Sequence, residues 1–313
     1  MHKSVSGTVS HQDNGLKLEQ FLKNELHLSK NEISRAKFRE NGICVNGRRQ
    51  RIDFSLKTGD LVEVLLETGD KTSESLTASD GDIFILYEDE DVIVLDKPAG
   101  ISIHPAGCKD ADTLANRLAF YLRDKKEDSV IRIFGRLDRD TSGIVLAAKN
   151  RPAATRLERQ RKNGTLLKSY LAVTKQIPDP PAGVIRLPIG ADPKNRKQMR
   201  IMADGKTAVT HYETLRAEDG CALIRLSLET GRTHQIRVHM AAVSCPLLGD
   251  PVYGNGAVPG MKRTALHARS IRFLQPFTGE ELLIEAPLLD DMWLYLSERS
   301  GIFDYVSCSS DLF

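Results

Sequence analysis

The sequence predicts an α+β protein: a small N-terminal α/β module, then a larger domain built on a mixed, mostly antiparallel sheet flanked by helices. Two observations lead to this fold class. From Ile83 onward, short apolar strands often follow one another without an intervening helix, whereas a doubly wound parallel sheet would alternate the two. Residues 67–80 are rich in Ser, Thr and charge, which is typical of a linker. We therefore divide the chain into residues 1–66, a linker at 67–80, and a domain at 81–313.

The N-terminal module carries signals for two helices and a hairpin. Apolar residues between Leu18 and Leu26 have helical spacing, and Ser29 with Glu32 forms a capping box that begins a second helix, which Asn41-Gly42 is expected to end. The sequence predicts one strand at Ile43–Val45, a second directly after the hairpin dipeptide Asn46-Gly47, and a third at Val62–Leu66. Because the linker separates this module from the rest, we expect few contacts to cross it.

Basic residues cluster on the second predicted helix and on the hairpin. On charge alone, a solvated surface explains it as well as a nucleic-acid contact does. The stretch resembles the S4-type RNA-binding module in Leu18–Leu22, the helix begun by Ser29, Gly42–Gly47 and Lys57–Asp60. In that family the second helix and the hairpin form the RNA face. The resemblance therefore implies RNA contacts from Lys30, Arg35, Lys37, Arg39, Arg48 and Arg49.

The larger domain is predicted to be rich in strands. The strands are expected at Ile83–Tyr87, Val92–Leu95, Val130–Phe134, Ile144–Ala148, Leu166–Val173, Leu223–Leu228 and Leu282–Ile284. Helices are expected at about 112–124, at 152–162 with Gly164 as the stop, and at about 233–243.

A carboxylate stands on a tight loop between two of these strands, in Gly135–Gly143. Asp138 lies between Arg136 and Arg139, whose charges would favour its ionised form. The alternative is a structural turn in which the Asp140 and Ser142 side chains bond to the backbone. Taken alone, the loop favours the structural interpretation.

Further sequence motifs along the chain favour the functional interpretation of Asp138 over the structural one. The loop resembles the Arg-Leu-Asp-x-x-Thr-Ser-Gly motif of the RluA family of pseudouridine synthases. The other matching blocks are Leu86–Asp89 with Val92–Gly100 and His104-Pro105, Lys168–Val173, Thr230–His239, Leu248–Gly254 and Leu266–Ala268. Together they cover roughly residues 83–290. The chain departs from many members at two positions, with Gly135 in place of His and Asp96 in place of Asn.

The resemblance implies that uridine is isomerised to pseudouridine and carries three residues onto catalysis. Asp138 matches the essential aspartate, Tyr170 the active-site tyrosine and Arg237 the active-site basic residue. A carboxylate could attack C6 of the base or C1′ of the sugar, or remove a ribose proton, and the sequence leaves these routes open. No hydride, phosphoryl or redox step occurs, so we expect no cofactor and no metal.

The expected partner is RNA, whose target base must leave its helix or loop to be reached. Arg136 and Arg139 are candidates to hold the flipped nucleotide, and Lys194, Arg196 and Lys197 form a candidate second backbone contact. A solvated surface is an equal alternative for these side chains. Large-subunit ribosomal RNA is the first expectation for the substrate and tRNA the second.

Parts of the sequence also resemble three other kinds of protein. Asp138–Thr141 reads loosely as the nucleophile loop of the magnesium-dependent haloacid-dehalogenase phosphatases, but the expected Rossmann-like alternation is missing. A non-catalytic RNA-binding protein would have lost residues that are present here. A zinc enzyme using His234 and His239 lacks a third ligand, and a spacing of five residues suits neither a helix face nor a strand face.

Composition sets the remaining expectations. The five cysteines are scattered and form no Cys-x-x-Cys pair, which favours a reducing cytoplasm over a disulfide framework. No apolar run approaches the roughly 18 residues of a membrane span. We expect a cytoplasmic monomer.

Overall fold

The computed structural model of the chain describes residues 2–67, 77–105, 112–125, 131–195, 198–254 and 256–298. Most of the predicted linker, the predicted RNA contacts Arg196 and Lys197, and the cysteines Cys108 and Cys308 lie outside these ranges. The secondary structure below refers to the described residues.

The N-terminal module combines a four-stranded antiparallel sheet, in the order β1-β4-β2-β3, with two helices. Its elements are β1 (His2–Thr8), α1 (Leu18–Asn24), α2 (Lys30–Lys37), β2 (Ile43–Val45), β3 (Arg48–Arg49) and β4 (Leu61–Glu67). The predicted capping box is present: the Ser29 hydroxyl accepts from the Glu32 amide at 3.2 Å, and the Ser29 amide donates to the Glu32 carboxylate at 2.8 Å. Asn46 and Gly47 take φ values of 51° and 73°, as a two-residue hairpin turn requires.

Two details of the module differ from the sequence-based expectation. Strand β1 was missed because Val5 is its only large apolar residue, and its partner β4 comes some sixty positions later. Helix α2 ends at Lys37, ahead of the predicted stop. Gly42 instead allows the chain to pass close to the end of α2, where a Cβ would lie 2.0 Å from the Ala36 carbonyl oxygen.

The larger domain is built on one ten-stranded sheet. Its elements are β5 (Phe84–Glu88), β6 (Val92–Lys97), α3 (Leu114–Asp124), β7 (Arg132–Phe134), β8 (Ser142–Ala148), α4 (Arg151–Asn163), β9 (Leu167–Thr174), β10 (Ala182–Ile185), β11 (Ile189–Ala191), β12 (Met199–Ile201), β13 (Thr210–Glu218), β14 (Cys221–Leu228), α5 (Gln235–Ala242), β15 (Leu266–Leu274), β16 (Glu281–Glu285) and α6 (Asp290–Ser297). The sheet order is β10-β13-β14-β9-β15-β8-β6-β5, with β16 on β15, β7 on β8, and β11 and β12 as a separate hairpin. Among the described strands only β8 and β15 pair in parallel, which confirms the predicted mixed, mostly antiparallel α+β fold.

The sheet is covered on both faces. Successive residues of β9 point to opposite sides. Tyr170 and Ala172 join the large core that includes α3, α4 and α5, whereas Leu171 and Val173 pack with α6. Every residue of β8 is buried, so the strand that follows the Asp138 loop runs through the centre of the domain.

The N-terminal module packs directly against the larger domain. The Phe277 ring contacts both hydrophobic cores, with Lys3 Nζ 4.2 Å and the Arg156 guanidinium 4.5 Å from its centroid. Arg156 also pairs with Glu32 at 3.3 Å, and Lys3 pairs with Asp91. The expectation of few contacts between the two parts is therefore wrong: the linker composition does not reveal that buried charges join them.

Candidate active site

The Asp138 loop joins β7 to β8 and is shaped by its glycines. Gly135 has a φ of +79°, and Gly143 has a φ of +100°, with no room for a Cβ beside the Ala268 backbone of β15. Leu137 points into the core, whereas the Asp138 side chain remains 17% exposed. The buried Leu137 thus anchors the loop and leaves the Asp138 carboxylate accessible in the cleft.

Lys97 at the end of β6 fastens this loop. Its ammonium group is buried and donates to the carbonyl oxygens of Pro98, Ile101 and Arg139 at 2.8, 3.0 and 3.0 Å. Burial lowers the pKa of Lys97 to about 8. Arg139 adds a second link by donating to the Gly100 carbonyl at 2.7 Å. The loop after β6 is therefore bound to the backbone one residue beyond Asp138.

Asp96 takes no part in that fastening. Its Oδ1 atom is buried without a hydrogen-bond partner, and burial raises the pKa of Asp96 to about 6. Many members of the RluA family have an asparagine at this position. The Asp96 carboxyl group therefore keeps its proton to a higher pH than an ordinary aspartate does.

Arg237 on α5 connects Asp138 to a second, fully buried carboxylate. Its Nη1 donates to Asp138 at 3.2 Å, while Nε and Nη2 donate to Asp250 at 2.7 and 2.8 Å. Burial opposes the charge of Arg237, but the Asp250 bonds and the Asp138 charge outweigh it, so its pKa is raised. Burial would raise the pKa of Asp250, yet its bonds with Arg237 and with the backbone amides of Val252 and Tyr253 lower it. Both partners stay ionised.

Tyr170 on β9 lines the same cleft as Asp138 and Arg237. Its side chain is 7% exposed, and burial together with the Asp138 charge raises the pKa of its phenol to about 12. Three residues picked from the sequence thus meet in one cleft, although 99 positions separate Asp138 from Arg237.

Three neighbours of this cleft were not predicted as site residues. Asp250 anchors Arg237, and the Tyr253 hydroxyl lies 2.9 Å from His234 Nδ1. His234 takes a φ of 54° just before α5, and its Nε2 lies 3.9 Å from Asp138 Oδ2. Burial lowers the pKa of His234, with the Asp138 charge opposing. Asp250 and Tyr253 stood inside a block that resembled the family, but nothing in their spacing revealed the contact with Arg237.

His234 and His239 have separate partners. His239 faces Thr210 Oγ1 through Nδ1 and the Leu187 carbonyl through Nε2, both at 2.9 Å, whereas His234 Nδ1 faces the Tyr253 hydroxyl. Within the described ranges no group of three His, Cys, Asp or Glu side chains is arranged to hold a metal ion.

The predicted RNA contacts fall in three places. Arg136 is exposed beside the cleft and donates to Thr233 Oγ1 at 3.1 Å, whereas Arg139 is held by Gly100. Lys194 is exposed between β11 and β12. In the module, the exposed predicted side chains are Lys30, Arg35, Lys37, Arg48 and Arg49, with Arg39 half-buried. Phe38, not predicted, is 78% exposed beside Lys37, whose Nζ lies 4.8 Å from the ring centroid.

The cleft of this domain presents the Asp138 carboxylate, which the buried Arg237 holds. Comparisons with known proteins identify the family. Residues 91–242 match the family described as RNA pseudouridylate synthase. The uncharacterized RNA pseudouridine synthase YlyB of Bacillus subtilis is 37% identical over 91% of this chain and 94% of its own length. Ribosomal large subunit pseudouridine synthase D of Xanthomonas campestris is 35% identical over 85% of each chain. The human RNA pseudouridylate synthase domain containing 4 structure superposes with a TM-score of 0.56, at 25% identity, over 68% of this chain and 92% of that one.

The chain therefore belongs to the RNA pseudouridine synthase family. It is an isomerase that acts on uridine in RNA, which confirms the resemblance seen in the sequence and excludes the phosphatase alternative. No helix within the described residues is long and apolar enough to cross a membrane.

Proposed function

We propose that Asp138 is the catalytic carboxylate and that the preferred substrate is large-subunit ribosomal RNA. The observation that carries the first part is the 3.2 Å bond from Arg237 to Asp138 inside the cleft that Tyr170 lines. An arginine anchored by Asp250 can orient the Asp138 carboxylate through its third donor without drawing it out of the cleft.

The reaction breaks the N1–C1′ bond of uridine and forms a C5–C1′ bond. The C5 proton leaves, and N1 finally carries a proton, so the reaction is balanced without a cofactor. Asp138 supplies the charged oxygen for any of the three routes that the sequence left open. Tyr170 supplies a ring to stack on the uracil and a hydroxyl for the proton leaving C5. Because the phenol has a raised pKa, it is neutral at pH 7, so it can only relay the C5 proton, releasing its own proton to solvent or to a leaving product atom as it accepts the one from C5.

The ribosomal target is supported by relatives named for it. Several relatives named ribosomal large subunit pseudouridine synthase D are 35–41% identical to this chain. Transfer RNA remains the second candidate substrate. We also propose that the enzyme works as a cytoplasmic monomer.

We further propose that residues 1–66 are an S4-like RNA-binding module. Its exposed Lys30, Arg35 and Arg48 carry the charge that phosphates require, and Phe38 offers an exposed ring on which a base can stack. The adjacent Lys37, whose ammonium lies 4.8 Å from the Phe38 ring centroid, is itself suited to a phosphate.

The test is the Asp138→Asn variant. It should make no pseudouridine while keeping the thermal midpoint and the RNA affinity of the wild type, because Asn fills the same space without the charge. Release of tritium from C5-labelled uridine in transcribed ribosomal RNA measures turnover. More than a few per cent of wild-type turnover in a folded variant contradicts the role of Asp138. Chemical mapping of pseudouridine in cells with and without the gene then identifies the RNA.

A further inference from the structure

Two clefts lined by arginines meet at the beginning of helix α4. The first lies between α2 of the N-terminal module and α4, and Arg35, Arg39 and Arg151 are among its lining residues. The second, of about 390 Å³, lies between β7 and α4, and Arg132, Arg151 and Arg161 line it. Arg151 lines both, so the first cleft, a small crevice of about 20 Å³, adjoins the second at this side chain.

The second cleft leads to the Asp138 loop. Gly135, the first residue of that loop, lines it, and the next residue, Arg136, lines the active-site cleft. Gly135 is exposed, and a Cβ there would meet only Lys168 Nζ at 3.5 Å. Where many members of the family have a histidine, this chain has no side chain to close the passage.

Arginines outnumber carboxylates along the path. Glu32 lines the first cleft and pairs with Arg156. Glu158 is the only carboxylate among the residues that line the second cleft, and Arg161 engages it through two bonds of 2.8 and 2.7 Å. Arg151, the first residue of α4, places a permanent positive charge where the two clefts adjoin.

The two clefts are held in line by the contact between the domains. Glu32, which caps α2, also pairs with Arg156 one turn beyond Arg151, so α2 and α4 are joined beside the first cleft. The arginines of the module and those of α4 are therefore held next to one another.

We propose that this path binds the phosphodiester backbone of the RNA strand that carries the target uridine, from the basic face of the module past Arg151 and Arg132 to the active site. Guanidinium groups suit phosphates because they offer paired donors with a permanent charge. The identity of the strand rests on the proposed function, whereas the path itself rests on these clefts alone.

The experiment compares full-length variants with matched controls. The Arg132→Gln/Arg151→Gln double variant removes two charges from the path, and Thr155→Lys adds one to the wall of the second cleft. The control Arg186→Gln/Arg272→Gln removes two exposed arginines that line neither cleft. Affinity for a fluorescent single-stranded oligouridylate is measured against salt concentration, and KM and kcat are measured on transcribed ribosomal RNA.

The double variant should raise KM at least about fivefold, leave kcat within about twofold, and flatten the slope of log K against log salt by roughly 1.4, about 0.7 for each phosphate contact. Thr155→Lys should steepen the slope, and the control should change none of these quantities. The proposal is overturned if the double variant behaves like the control, or if poly-glutamate competes with the oligouridylate as well as unlabelled RNA does. If the wild type forms no pseudouridine in any RNA, the proposed function fails, while the salt slopes still decide on the path.

Discussion

Asp250→Asn tests whether a buried carboxylate outside the reaction positions Arg237. Asp250 Oδ1 accepts from Arg237 Nη2 and from two backbone amides, and Oδ2 accepts from Arg237 Nε. An asparagine can keep the three bonds at Oδ1 if its oxygen takes that place. Its amino group must then face the Nε–H of Arg237, donor against donor, with the side chain wholly buried.

The size of the effect follows from these contacts. Loss of one charge-assisted bond, with a buried arginine left partly unpaired, should lower the free energy of unfolding by about 2–4 kcal/mol. A displaced Arg237 also weakens its 3.2 Å bond to Asp138. A bond of that kind is worth about 1.5–3 kcal/mol, so kcat should fall roughly 10- to 100-fold.

Single-turnover tritium release under saturating enzyme isolates the chemical step, and thermal denaturation measures stability. The matched control is Asp112→Asn, since Asp112 also holds an arginine, Arg117, through two bonds of 2.8 and 2.7 Å, without contacting the active-site cleft. The control should leave the chemical step unchanged. If Asp250→Asn lowers the thermal midpoint but keeps the single-turnover rate within twofold, Asp250 supports the fold without positioning Arg237, and the reasoning is refuted.

Three further predictions follow from the same contacts. Tyr170→Phe should keep KM and lower kcat on the order of 100-fold if the hydroxyl handles the C5 proton, whereas an unchanged kcat would limit Tyr170 to stacking. Asp96→Asn should raise the free energy of unfolding by about 1–2 kcal/mol at pH 8, a figure that allows for the partial exposure of the side chain. An acid whose folded pKa is raised to about 6 destabilises the fold as pH rises through that value, so the gain from asparagine should vanish near pH 4. An equal gain at pH 4 and pH 8 in urea titrations would contradict this prediction. A chain beginning at residue 77 should have a lower thermal midpoint, because it strips Phe277 and Arg156 of their partners, and an unchanged midpoint would mean that these contacts add no stability.

Local signals predicted the elements that depend on neighbours in the sequence. The capping box at Ser29, the Asn46-Gly47 turn and the Gly164 stop all work within a few residues, and all are present. Strand β15 was missed although it is central, because polar residues interrupt its apolar pattern. His267 Nδ1 lies 2.9 Å from the Ser142 hydroxyl, and Arg269 donates to the Ala286 carbonyl, and neither partner is recognisable from the sequence.

The site divides in the same way. Asp138, Tyr170 and Arg237 came from family motifs, and the structure brings them into one cleft. The Arg237–Asp250 pair was not predictable from spacing, because a charge pair buried after a helix leaves no periodic pattern. In the sequence, Asp96 differs from other members only as a departure from the family motif, whereas the structure shows that its Oδ1 atom is buried without a hydrogen-bond partner, which gives the change a physical cost.

Strand β15 has a consequence for the making of the enzyme. Tyr170 lies on β9 and Asp138 just ahead of β8, and these two strands are held beside each other by β15, which pairs with both. Yet β15 comes after Asp138, Tyr170 and Arg237 in the chain. A growing polypeptide thus contains the three side chains of the proposed site before it contains the strand that holds β8 and β9 beside each other. If these residues act as proposed, a chain whose synthesis is incomplete lacks the assembled cleft.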